Sequence, residues 1–140
     1  MKITLFSVEK ASELARSLAP QLEALVALRG ELGRIESRLG ILALTLAGAS
    51  AGNPDTEEAR ELERRRSELA RRLRAGLEAI HAHGCVVKDL DQGLLDFYSL
   101  VGDRMIFLCW KLGEPEIAHW HTLDGGFATR QPLDKSPLED

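Results

Sequence analysis

The sequence predicts an α+β protein, a long antiparallel helical hairpin followed by a small antiparallel β-meander of four to five strands. Three observations carry this. Leu18, Leu25, Leu32, Leu39 and Leu46 recur every seven residues, with Leu14, Leu28, Ile35 and Leu42 in a second register and Gln21 the one polar intruder. Alternating steps of three and four put one apolar seam along a long helix. Asn53-Pro54 followed by Asp55, Glu57 and Glu58 is a second helix start. From Cys85 onward, short apolar runs are divided by glycine-containing turns, the spacing of hairpin-linked strands.

In order, the chain is a single domain over 1–140: a strand in 1–7, the hairpin in 8–83, the meander in 85–123 and an irregular arm in 124–140. Ile3, Leu5 and Val8 alternate with Lys2, Thr4 and Ser7 around Phe6, which suits a short strand ending at Ser7, a good N-cap with Glu9 in the first turn. The first helix runs to about Ala47, about 60 Å at 1.5 Å per residue. Gly30, Gly33 and Gly40 each cost it up to about 1 kcal/mol relative to Ala, which points to a close helix crossing near them or a local kink. Gly48 to Asn53 is a small-residue loop.

The second helix continues to His81 or His83 and stops at Gly84. Its seam of Ala59, Leu62, Leu69, Leu73, Leu77 and Ile80 is interrupted by Arg66 and Gly76. The arginines of this helix have Glu57, Glu58, Glu61, Glu63, Glu68 and Glu78 three or four residues away, so its charged face neutralises itself. Strands follow at Cys85 to Leu90, Leu94 to Leu100, Arg104 to Leu112 and Ile117 to Leu123, with Ile3 to Phe6 as the fifth. The first helix is about ten residues longer than the second, so its N-terminal third packs on the sheet.

Lys and Arg number 18 against 22 Asp and Glu, a net charge of −4. That balance argues against a nucleic-acid binder, which carries a basic excess on some face. No run of 18 or more apolar residues exists, the segment Ile41 to Ala51 being too short for a bilayer, and no signal-peptide pattern opens the chain. The expectation is a cytoplasmic protein without membrane contact, whose Cys85 and Cys109 are reduced, buried thiols.

Candidate chemistry is sparse. His119 and His121, two apart on a strand, project to one side, a spacing that metal sites use. If the turn pairs Leu112 with Ile117, Cys109 faces Trp120 on the opposite side and is excluded. Asp124, Glu114 or a residue of the long helix would then have to complete the set, and nothing in the spacing singles one out. No metal ligands are therefore assigned, and the cofactor is unknown. Asp96, between Leu95 and Phe97 in a buried-looking stretch, needs a partner, with Arg104 or Arg130 available. Cys109 lies mid-strand, away from any helix N-terminus, and should be inert. Gly125-Gly126 is only a turn. Trp110 and Trp120 would either line a groove with His121 and Arg130 or fill the core.

The run Val87-Lys88-Asp89, then Gly93-Leu94-Leu95-Asp96-Phe97, Leu108-Cys109-Trp110 with Gly113-Glu114, Trp120-His121 and Gly126-Phe127 with Arg130-Gln131-Pro132, resembles an uncharacterised prokaryotic family, domain of unknown function 2203. The Leu5-Phe6-Ser7 opening is similar too. The resemblance covers nearly the whole chain and implies no activity. Asp96, Cys109, Trp110, Glu114, Trp120, His121 and Arg130 match the family pattern.

Two functional expectations follow. The first is a structural or interaction module, homodimeric through its hairpins because Leu22, Val26, Ile41 and Leu44 lie off the main seam. It would bind a protein segment or small ligand at the sheet through Asp96, Trp110, Glu114, Trp120, His121 and Arg130. The second is a metal-binding protein or metal-dependent enzyme using Asp96, Glu114 and His121. Catalytic residues stay unassigned.

Overall fold

A computed structural model describes residues 2–46 and 53–133. Helix α1, Val8–Thr45, starts where expected: the Ser7 side chain accepts the Lys10 N–H at 3.1 Å. It runs through Pro20, whose ring removes one helical hydrogen bond at a cost of about 3 kcal/mol. Burial of Leu18 and Leu22 on either side, each contributing about 1.5–3 kcal/mol, offsets that loss. Helix α2, Pro54–His81, is capped by Asn53, whose side chain accepts the Asp55 N–H at 2.8 Å. Most of the expected Gly48–Asn53 loop, and the arm beyond Leu133, lie outside the described residues.

The leucine seam divides its work. Leu18, Leu22 and Leu25 join the main core with Ile80, Leu95, Phe97, Ile106, Leu108, Trp110 and Trp120. Further along, Leu32 and Ile35 close on Leu69 of α2 in a smaller cluster. The first turns of the longer helix therefore pack on the sheet, as its excess length requires. The close helix approach is not at Gly30, Gly33 or Gly40, where an added Cβ meets only the helix's own arginine side chains or nothing. It is at Gly76 of α2, where a Cβ would intrude on the Leu25 side chain. The glycine that interrupts the seam is the one that lets the helices meet.

Between the helices, Arg38 holds both carboxylate oxygens of Glu58, at 2.8 and 2.9 Å, and Arg65 reaches Glu31 at 2.9 Å. Along α2, Arg60, Arg64 and Arg66 pair with the glutamates three residues before them. Solvent screens such exposed pairs, so they add little to stability, but they account for much of the basic face. Gly84, at φ +97°, turns the chain out of α2 in a conformation side chains disfavour.

The sheet contains β1 (Val86–Asp89), β2 (Leu94–Val101), β3 (Arg104–Lys111), β4 (His119–His121) and β5 (Gln131–Pro132), in sequential order and antiparallel throughout. The fifth strand is thus C-terminal. The N-terminal residues extend beside β2 without forming a strand: Phe6 donates its N–H to Tyr98 at 2.8 Å, the Ser99 hydroxyl returns a bond to the Phe6 carbonyl, and Phe6 stacks edge-on to Phe97. The outer N–H of Val87 in β1 is taken by His81 Nε2 at 3.2 Å, which blunts that edge.

Register decides what each face carries. Leu108 pairs with Trp120, Phe107 with His121 and Cys109 with His119. This is one residue away from the pairing that Leu112 opposite Ile117 would give, and a one-residue slip exchanges the faces. The cause is local. Ile117 donates its N–H to the Ser12 hydroxyl of α1 at 3.0 Å, and the Trp110 indole N–H bonds the Glu114 carbonyl at 3.0 Å. Ile117 is drawn to the helix, and pairing resumes only at His119. Leu95, Phe97, Leu108, Trp110 and Trp120 consequently face α1, whereas Asp96, Cys109, His119 and His121 share the other face.

Candidate functional site

On that second face the corrected register gathers three side chains. β2 and β3 pair Asp96 with Cys109, and β4 lays His121 one pair further along, opposite Phe107. Asp96, Cys109 and His121 are 1%, 1% and 2% exposed, and one ligand atom from each lies within 4.8 Å of the other two. His121 Nε2 is 2.9 Å from Asp96 Oδ2, while Nδ1 is 2.7 Å from the Thr122 carbonyl oxygen. A carbonyl can only accept, so Nδ1 carries a proton and the Nε2–carboxylate contact holds one shared proton. The partner of the buried Asp96 is therefore His121, not Arg104 or Arg130.

Burial pushes the Asp96 carboxyl above the ordinary range, against the opposing influence of His121 and Lys88. Burial and the neighbouring Asp96 charge push the Cys109 thiol up to about 11, against Arg130. Cys109 is therefore no activated nucleophile. Both His121 nitrogens are committed, so the ring cannot serve as its base.

The second expected acid behaves differently. Glu114 accepts both Arg130 nitrogens, at 3.1 and 3.0 Å, and the Lys111 N–H at 2.7 Å. Burial raises its pKa, but the Arg130 and Lys111 hydrogen bonds outweigh that and hold it below the usual range. Arg130 also lies over the Phe127 ring at 4.3 Å, and its charge works against the rise in the Cys109 pKa. Glu114 thus fastens the β3–β4 turn to the C-terminal segment and stands outside the three-residue cluster. His119 Nδ1 comes within 3.9 Å of Glu114 and has no hydrogen bond among the described residues.

Of the six expected ligand-binding residues, Asp96 and His121 meet, Glu114 and Arg130 pair beside them, and Trp110 and Trp120 lie in the core on the opposite face. The residue that spacing excluded is Cys109. Matching faces by polarity could have restored it: only one register sets Trp120 against Leu108 and leaves Asp96, Cys109 and both histidines together.

In front of the cluster opens a recess of about 260 Å³, reached by Lys88, Gln92, Leu94 and Phe127 as well as Asp96 and Cys109. Lys88 places its ammonium 4.7 Å over the Phe107 ring.

The sequence profile of an uncharacterized conserved protein family, DUF2203, matches residues 4–133. The chain belongs to this family. No curated protein and no solved structure matches it. The DUF2203 match begins before α1 and ends just after β5, so it takes in the hairpin, the whole sheet and every residue of the cluster.

Proposed function

We propose that this DUF2203 chain binds one divalent transition metal ion through Asp96, Cys109 and His121. The observation that carries this is the convergence of a carboxylate, a thiol and an imidazole nitrogen within 4.8 Å in a buried site. A tetrahedral ion with bonds of about 2.0–2.3 Å asks for ligand separations of about 3.3–3.8 Å, within small side-chain adjustments of this geometry. His121 is already oriented for ligation, with Nδ1–H given to a backbone carbonyl and Nε2 turned inward. The ion replaces the proton that Asp96 and His121 share and the proton on Cys109, and its charge balances two anions that the site otherwise disfavours. A mixed sulfur, nitrogen and oxygen donor set suits zinc or a similar ion.

Metal analysis of the protein, purified without chelator and reloaded with Zn2+, tests this. About one ion per chain is expected, with affinity falling at least about tenfold in Cys109→Ser and Asp96→Asn variants whose circular dichroism stays native. Absence of uptake, or uptake untouched by either substitution, overturns it.

A second reading, self-association through the hairpins, rests on Ile41 and Leu44, which are 53% and 83% exposed on the far end of α1. Light scattering at micromolar concentration should give a dimer that Leu44→Lys dissociates; a monomer throughout removes this reading.

A further inference from the structure

Resting on that metal reading, we infer that the centre's fourth position takes a small carboxylate with a short apolar tail, held by the metal and by Lys88. The protein supplies three ligand atoms, which leaves a tetrahedral ion one position to fill. The recess of about 260 Å³ that reaches Asp96 and Cys109 is where an exogenous ligand enters. Its lining is divided in chemistry. Lys88 contributes a cation, and Leu94 and Phe127 contribute apolar surface.

Lys88 sits over the Phe107 ring, which itself lies 5.4 Å from the His121 ring, so its ammonium stands on the same face as the cluster. Among the described residues no carboxylate lies within ion-pair distance of it. Two further cations stand nearby: Arg130 is already neutralised by both oxygens of Glu114, and Lys111 lies 5.3 Å over the Phe127 ring without itself lining the recess. Asp89 shares the recess, but its oxygens accept from the Asp91 and Gln92 amides and the Gln92 side chain, and so are turned into the β1–β2 turn. With the ion's two charges balanced by Asp96 and Cys109, the charge of Lys88 that otherwise acts on Asp96 is released, and Lys88 is the cation lining the recess that meets an anion while the apolar walls accept a few methylenes.

Cobalt-substituted protein provides the readout, because its visible bands report the fourth ligand. Titration with acetate is expected to shift the bands, and butyrate to do so at several-fold lower concentration. Lys88→Met should weaken both titrations roughly tenfold with cobalt content unchanged. Stoichiometric cobalt whose spectrum neither carboxylate alters overturns this inference and leaves the metal reading standing. Equal titrations of wild type and Lys88→Met remove the assigned role of Lys88 and overturn it as well. Failure to take up cobalt at all defeats the metal reading, and the carboxylate site falls with it.

Discussion

Glu114 shows how one residue can tie two segments together, the end of β3 and the stretch before β5. Its carboxylate joins Arg130 to the Lys111 amide, and its backbone carbonyl accepts the Trp110 indole N–H. Glu114→Gln keeps the shape and removes the charge, so it should cost about 2 kcal/mol in urea denaturation at pH 7. The folded carboxyl titrates below its ordinary 4.5. The pair's contribution is therefore present above that value and lost as pH falls through the lower folded pKa, so the gap between variant and wild type should close in acid. Cys85, pushed up to about 11 by burial, should resist an aromatic disulfide reagent at pH 8 until the chain is unfolded. Asp96 was legible as a buried acid needing a partner. The partner's identity was not, because it comes from two strands away and depends on register.

At the scale of elements, caps and periodicity located α1 and α2 closely: Ser7 and Asn53 both cap, and α2 ends at His81. The existence of β1 to β4 was legible as well, whereas the fifth strand was expected at Ile3 to Phe6 and lies instead at Gln131–Pro132. Pairing was not, since the β3–β4 connection is steered by Ile117 bonding to Ser12 of α1, a contact 105 residues apart in sequence. Nor was the place where the helices touch. Propensity alone says that Gly76→Ala should strengthen α2 by up to about 1 kcal/mol. The Leu25 side chain, only 6% exposed, occupies the space the methyl would need. The variant should therefore lose about 1 kcal/mol net in thermal or urea unfolding, because overpacking costs more than propensity returns. A stabilised Gly76→Ala protein would show that the crossing is looser than described.

For the whole molecule, the sheet is a wall between two environments. One face is sealed by α1 over Trp110, Phe97 and Trp120; the other keeps Asp96 and Cys109 at the foot of a recess, with His121 bonded to Asp96 behind them. The leucine seam explains the first face almost entirely from sequence, and most of it is satisfied within the chain. The second face is invisible to local pattern because its residues come from β2, β3 and β4, and each alone resembles an ordinary strand residue. Asp96, Cys109 and His121 are proposed to hold one metal ion between them. X-ray absorption at the zinc edge of the loaded protein tests it most directly. One sulfur at about 2.3 Å with nitrogen and oxygen at about 2.0–2.2 Å is the expected shell. A shell without sulfur, or protein that retains no zinc, would contradict the account.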